Sequence, residues 1–158
     1  MAKPVVFLAV FLSAFGALAA IKFPLKSSSQ NGKMVIADSS GERVKLACVN
    51  WAGAHMEEMV VNGLDRRPLD EIAEDIREMG FNCVRLVYAL DTLFINGVVP
   101  SVRLAANPDL IGSTTMEVFD AVVASLTSKG LMVILNNHVR KRERERDNTR
   151  EKCLRNAD

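Results

Sequence analysis

The stretch Gly80-Phe81-Asn82-Cys83-Val84-Arg85-Leu86 decides the fold, because a short apolar run follows a helix-like segment and carries a charge. In a parallel sheet with helices on both sides, both faces of a strand are buried. An arginine near the carboxyl end of such a strand must therefore meet either a carboxylate or a ligand. Arg85 is accordingly the first candidate functional residue.

Two other apolar runs end in the same way. Residues 44–49 run into Asn50 and Trp51, and residues 131–135 run into Asn136-Asn137-His138. Functional sites of parallel α/β folds lie at the carboxyl ends of the strands. The sequence therefore predicts three neighbouring strands whose ends carry side chains that can bind a ligand.

Helices are predicted between these strands. Residues 68–79 have apolar positions spaced three and four apart and are followed by Gly80, and Thr114 and Glu117 have the spacing of a capping box. Strand, helix, strand, helix, strand with right-handed crossovers places the strands in parallel. The fold class is α/β, as an open doubly wound sheet or as part of a closed barrel. A long connection through Pro100 and Pro108 to Ser113 is predicted as a loop.

An N-terminal β-hairpin is predicted before the first of these strands. Residues 34–37 and 43–49 form its arms, and 38–41 its turn, while the Ser- and Lys-rich residues 22–33 are predicted to be a mobile lead-in.

The two ends of the chain differ from this predicted domain. Residues 1–20 combine a basic residue, a short apolar run and small residues, as in a secretory signal peptide cleaved near Ala20 or Ile21. A membrane anchor is the less favoured alternative, because a span needs about 20 apolar residues. We therefore expect a secreted protein, extracellular or in the cell wall. Residues 21–139 form the domain, and residues 140–158 are predicted to be a charged, disordered tail.

Charge and cysteine content narrow the possible partners. The net charge is +1, and the body without the tail has 20 − 8 = 12 basic and 19 − 5 = 14 acidic residues, so nothing indicates nucleic acid binding. Cys48 and Cys83 are predicted to be buried free thiols that point into the same interior, since neighbouring strands rarely offer disulfide geometry. Without a metal-ligand spacing of Cys and His, neither a metal nor another cofactor is expected.

Taken in order, the three strand-end motifs around Asn50-Trp51, Arg85 and Asn136-Asn137-His138 resemble the N-terminal part of glycoside hydrolase family 5, the cellulase family, in a plant-like secreted form. The resemblance extends over about residues 22–139. It implies an incomplete (β/α)8 TIM barrel with the first three strands, two helices and an N-terminal hairpin. It also implies a β-linked polysaccharide or oligosaccharide as partner, cleaved with retention of configuration, and no membrane association after signal cleavage.

The resemblance also implies roles for single residues. Arg85 would orient the catalytic nucleophile, His138 would hydrogen-bond the sugar next to the scissile bond, and Asn50 and Trp51 would line the cleft. Asn136 stands where the family usually has Asp. The structural alternatives are that Arg85 pairs with a carboxylate of the barrel, that His138 is a strand-end histidine with local partners, and that Trp51 packs in the core.

The catalytic carboxyls that the resemblance implies have no counterpart in the sequence. The family carries them on its fourth and seventh strands, the first in an Asn-Glu pair, and the chain contains no Asn-Glu dipeptide. We therefore expect no catalytic residue, a truncated family member and no activity. A small secreted α/β carbohydrate-binding or interaction module is the alternative.

The tail raises a separate question about the gene. Residues 142–146 read Arg-Glu-Arg-Glu-Arg, which is the translation of an alternating A and G repeat, so residues 140–158 are interpreted as translated intron. A charged, solvated tail remains the alternative.

Overall fold

The computed structural model describes residues 21–139, which divide into two compact units, one ending at Val44 and one beginning at Lys45. The predicted signal peptide and the predicted tail lie outside the described residues. Within 21–139, no helix is long and apolar enough to cross a membrane.

The first unit contains an antiparallel hairpin of β1 (Lys26–Gln30) and β2 (Lys33–Ala37). Its turn residues Asn31 and Gly32 have φ of 52° and 73°, the positive values that an Asn-Gly hairpin turn requires. The prediction of a mobile lead-in over residues 22–33 was therefore wrong. The Asn-Gly turn sets the hairpin there despite the low strand preference of Ser and Lys.

The predicted hairpin over residues 34–49 was also wrong, although its turn exists. Asp38 accepts hydrogen bonds from the Ser40 hydroxyl at 2.7 Å and from the Glu42 backbone N–H at 3.0 Å. The Ser40 bond is the main cause that lowers the pKa of Asp38. Beyond this turn the chain pairs only through a bridge between Ala37 and Arg43, so no second arm forms.

The second unit is an α/β layer with three parallel strands in the order β3-β4-β5. The predicted parallel arrangement is confirmed. The predicted long loop between β4 and the last helix is corrected, because it contains a short helix and two 3-10 turns, Ser101–Leu104 and Pro108–Leu110. The regular elements are β3 (Cys48–Trp51), α1 (Leu69–Glu78), β4 (Cys83–Ala89), α2 (Leu90–Ile95), α3 (Thr115–Ser128) and β5 (Met132–Val139).

Helix ends follow the predicted sequence signals. At the start of α3 the Thr114 backbone N–H donates to Glu117 Oε2 at 2.7 Å, and Thr114 Oγ1 accepts from the Glu117 N–H at 3.4 Å. This reciprocal pair is the predicted capping box. Gly80, with φ of 86°, follows the end of α1 in the left-handed conformation that glycine adopts readily.

The two faces of the sheet have different environments. Side chains alternate along a strand, so Trp51, Val84 and Leu86 share the face that packs against the helices. Apolar side chains of α1 and α3 complete this core, among them Ala73, Ile76, Val118, Val122 and Leu126. The opposite face carries Asn50, Arg85 and Ile134, and Ile134 is 40% exposed. In the described part of the chain, this second face is only partly covered.

Asn107 joins the two long connections that follow β3 and β4. Its side-chain amide nitrogen donates to the backbone oxygens of Leu64 at 2.7 Å and Arg67 at 3.0 Å, and its oxygen accepts from the Leu69 N–H at 2.7 Å. Leu69 is the first residue of α1, whose N-cap Pro68 makes no side-chain capping bond. A residue distant in sequence therefore caps α1.

Candidate functional site

Asn50 and Arg85 come together on the partly covered face of the sheet. They are direct partners in the parallel register of β3 and β4, and Arg85 Nη1 donates to Asn50 Oδ1 at 3.3 Å. Asn50 is exposed and Arg85 is half-buried. Two of the predicted site residues therefore form one polar pair between adjacent strands, next to the last residue of β3 and four residues before the end of β4.

The guanidinium of Arg85 has little else to bind. None of the ion pairs formed within residues 21–139 includes Arg85, and its side chain donates to the uncharged amide of Asn50. A carboxylate partner, the structural alternative for Arg85, is thus not found in the described part of the chain. The face presents a positive charge with donors left over for another group.

His138 lies at an irregularity of β5. The register of β4 and β5 shifts between Tyr88 and Ala89, whose partners are Asn137 and Val139, so His138 is the extra residue of β5. Such a bulge re-aims a side chain and is frequent beside active sites. The His138 ring meets the ring of His55 edge to face, with centroids 5.1 Å apart and planes at 87°.

His55 is a site residue that the sequence did not reveal. It follows β3 in the chain and is 9% exposed, and its contact with His138 spans the end of β4, because β4 lies between β3 and β5. A single loop histidine carries no spacing signal. The available clue was that the chain has only two histidines, each just beyond or at the end of a predicted strand.

The loop that holds His55 is fixed by close backbone contacts. Gly53 has φ of 125°, and a Cβ added there would lie 2.3 Å from the Val60 carbonyl oxygen. The Ala54 carbonyl accepts a hydrogen bond from the buried Thr92 hydroxyl of α2 at 3.1 Å. The imidazole of His55 is therefore placed by a backbone with little freedom.

Trp51 points away from the Asn50–Arg85 pair. Its indole is 7% exposed within the apolar core, and its Nε1–H donates to the Asn62 backbone oxygen at 2.8 Å. The placement gives Trp51 a packing role, and a contact with sugar remains a prediction. Asn136 is half-buried and pairs in register with Val87.

The cysteines correct an expectation. Cys48 and Cys83 are direct register partners with Cα atoms 4.3 Å apart, and their sulfurs form a disulfide. The prediction of two buried free thiols was wrong, and so was their common burial, because Cys48 is exposed while Cys83 is fully buried. In-register pairing on one face brings the two Cβ atoms close enough to be bridged. Within 21–139, no group of three or more His, Cys, Asp or Glu could hold a metal ion.

The parallel alternation of strands and helices is consistent with an incomplete TIM barrel, the fold of the catalytic domains that the chain resembles. The catalytic domain of the major endoglucanase from Xanthomonas campestris pv. campestris superposes with a TM-score of 0.59 at 33% identity, over 64% of this chain and 29% of that one. An endocellulase from Pyrococcus horikoshii, solved in complex with cellotetraose, shares the fold at 24% identity with a TM-score of 0.58, over 70% of this chain and 30% of that one.

The Cellulase family model, glycosyl hydrolase family 5, matches residues 37–156. The chain therefore belongs to glycosyl hydrolase family 5, which confirms the resemblance. The match extends past Val139, the predicted end of the resemblance.

The curated relatives are longer than this chain. A glycosyl hydrolase 5 family protein of Chamaecyparis obtusa is 40% identical over 70% of this chain and 22% of its own length. The major extracellular endoglucanase of Xanthomonas campestris pv. campestris is 34% identical over 77% of this chain and 25% of its own length. The chain thus spans about a quarter of the length of the curated relatives it matches.

Proposed function

We propose that this chain forms the sugar-binding and nucleophile-orienting part of a retaining β-glycan hydrolase cleft, built as the first three strands of a barrel. Arg85 orients the nucleophile and donates a hydrogen bond to the sugar, and Asn50 and His138 also bind the sugar. The observation that supports this most is that the Arg85 guanidinium, on the partly covered face, is bonded to an uncharged amide and to no carboxylate of the described residues.

The chemistry of retention limits what these residues can do. It needs two carboxyl groups about 5 to 5.5 Å apart, one as nucleophile and one as acid/base. A guanidinium, an amide and an imidazole bind and orient groups, and they do not replace this pair. The residues assigned here therefore bind β-linked glycan and do not by themselves hydrolyse it.

A β-glucan is the substrate class that the relatives favour. Three of the matched proteins are named endoglucanases, from Xanthomonas campestris pv. campestris, Paenibacillus polymyxa and Acetivibrio thermocellus, and the first is called extracellular. Cellohexaose is therefore the appropriate probe, with α-linked maltohexaose as its control. Secretion, with removal of residues 1–20, is part of the same proposal, and N-terminal sequencing of the protein from culture medium tests it.

The binding test is an NMR titration of the chain with the two oligosaccharides. We expect cellohexaose to shift the signals of Asn50, Arg85 and His138, and maltohexaose to leave them unchanged. Arg85→Met should weaken binding about tenfold or more, because a hydrogen bond to a charged group contributes about 1.5–3 kcal/mol. Arg66→Met, at an exposed arginine of the loop before α1, is the matched control.

Two outcomes of the titration would contradict the proposal. One is cellohexaose binding that Arg85→Met leaves unchanged, and the other is a set of shifts confined to other surfaces. Turnover of a soluble β-glucan by the chain, abolished by changing one of its own Glu residues, would overturn the assignment of binding without hydrolysis.

A further inference from the structure

The Cys48–Cys83 disulfide lies directly beneath the Asn50–Arg85 pair. Cys48 and Cys83 are register partners, and Asn50 and Arg85 are partners two residues further along the same strands. Residues two apart share a face and are separated by about 6.6 Å along a strand. The covalent link and the polar pair therefore form successive layers between the same two strands.

β3 is a strand whose register needs support. It has four residues, and within the described residues it pairs only with β4. A slip of one residue would turn Asn50 to the helix-packed face and Trp51 to the opposite face, because side chains alternate. The position of Asn50 beside Arg85 therefore depends on how firmly this register is held.

The other side-chain hydrogen bonds around β3 lie before or after the Asn50–Arg85 pair along the strand. Asn82 bonds below it, accepting from the Ala47 N–H at 2.8 Å and donating to the Lys45 carbonyl at 2.7 Å. Both bonds are exposed, where hydrogen bonds contribute little net stability. At the carboxyl end of β3, the Trp51 indole N–H donates to the Asn62 backbone oxygen in the loop that follows β3, and this bond does not connect β3 to β4.

We propose that the disulfide is a positioning element of the sugar-binding face: Cys48 and Cys83 hold β3 against β4 in the register that places Asn50 at the guanidinium of Arg85. The proposed function supplies only the ligand in the test below. The register and the orientation of Arg85 are measured without any sugar.

The test compares Cys48→Ser/Cys83→Ser with Cys153→Ser, a control that removes the remaining cysteine. Peptide mapping without reduction must first show Cys48 linked to Cys83 in the wild-type chain. Amide hydrogen exchange then reports the register, and the Arg85 Nε–H signal reports the guanidinium. Cellohexaose affinity is measured last, in the same samples.

We expect the double variant to exchange its amides at residues 49–51 about tenfold faster, while the amides of α3 change less than about twofold. The Arg85 Nε–H signal should move toward the position of an unstructured arginine. Cellohexaose affinity should fall about five- to tenfold, and Cys153→Ser should match the wild type in each measurement.

Cys48→Val/Cys83→Val separates positioning from packing, because it restores apolar volume without the bond. If the disulfide positions β3, the Arg85 Nε–H signal of this variant should not return to its wild-type position. A full return to the wild-type position would overturn the proposal. So would unlinked cysteines in the peptide map, or unchanged exchange at residues 49–51. If wild type itself fails to bind cellohexaose, the proposed function is wrong, while the exchange and Arg85 measurements still decide the role of the disulfide.

Loss of the whole fold in the serine variant would leave reduction of the wild type as the deciding experiment. A water-soluble phosphine supplies the two electrons and takes an oxygen atom from water to become its oxide, and the two protons of that water go to the two sulfurs, which are released as thiols. Local loosening at β3 with intact α3 supports the proposal. Global unfolding on reduction as well would show a general stabilising link and would overturn it.

Discussion

Asn107→Ala tests how the two connections that surround the site are held together. The side chain is 8% exposed and makes three hydrogen bonds, to Leu64, Arg67 and Leu69. Truncation leaves two carbonyls and one helix N–H without these partners. At about 1 kcal/mol for each bond, the free energy of unfolding should fall by about 3 kcal/mol. This is a large part of the 5–15 kcal/mol typical of a domain.

Urea unfolding followed by the fluorescence of Trp51, the single tryptophan, measures this loss. With a slope of about 2 kcal/mol/M, the midpoint should fall by about 1.5 M at unchanged slope. Asn137→Ala is the matched control, since Asn137 is exposed and its side chain has no hydrogen bond to the described residues. We expect its midpoint to stay within about 0.3 M of the wild type.

A loss below about 1 kcal/mol for Asn107→Ala, or an equal loss for both variants, would refute the reasoning. Asn107→Asp adds a check, because the carboxylate keeps the acceptor for Leu69 and removes both donors. It should be less stable than the wild type at pH 7, where two carbonyls face a negative charge.

Three further predictions concern the loop of His55 and the cap of α3. Gly53→Ala should lower the free energy of unfolding by about 3 kcal/mol, because the new Cβ meets backbone atoms. Gly112→Ala is the control and should cost about 1 kcal/mol, since Gly112 also has a positive φ but open space at its Cβ position. Equal urea midpoints of the two variants would contradict this. His55→Ala should weaken cellohexaose binding about fivefold, because an aromatic pair contributes about 1 kcal/mol, and unchanged affinity in the titration would count against it. Hydrogen bonds from the Thr114 backbone and hydroxyl lower the pKa of Glu117 in the folded protein. The ionised Glu117 carboxylate therefore stabilises the fold fully above its unfolded pKa of about 4.3, and this stabilisation is lost as the pH falls through the folded pKa. Thermal melts should therefore show a higher Tm for the wild type than for Glu117→Gln at pH 7, and this difference should shrink as the pH falls below the unfolded pKa. A difference in Tm that stays constant with pH would refute the charge dependence.

Helices α1 and α3 and the parallel strands could be predicted because their signals are local, whereas α2 lies in a segment predicted as a loop. The capping box at Thr114 and Glu117, the glycine after α1 and the apolar spacing all act within a few residues of chain. Arg85 stood out for the same reason, as a charge in an apolar run. The hairpin at Asn31-Gly32 also has a local signal, because the Asn-Gly turn outweighs the low strand preference of the Ser-rich residues around it.

The disulfide, the His55–His138 contact and the cap by Asn107 could not be predicted in this way. Each depends on which residues of separate segments become neighbours, and these pairs are 35, 83 and 38 residues apart in the chain (83 − 48, 138 − 55 and 107 − 69). Alternation gave the right face for Cys48 and Cys83. The register that makes them direct partners is a tertiary property, fixed by how β3 lies on β4.

The position of Arg85 restricts where the two carboxyls of a complete cleft can stand. A carboxylate within about 4–6 Å of a guanidinium has its pKa lowered by about 1–3 units and stays ionised. This suits a nucleophile and disqualifies a proton donor, which needs a raised pKa to remain protonated. In the proposed function, the acid/base carboxyl must therefore lie farther from Arg85 than the nucleophile does. The uncharged Asn50, which accepts a hydrogen bond from Arg85, would in that arrangement leave the positive charge for the nucleophile, whereas Asp at this position would neutralise it.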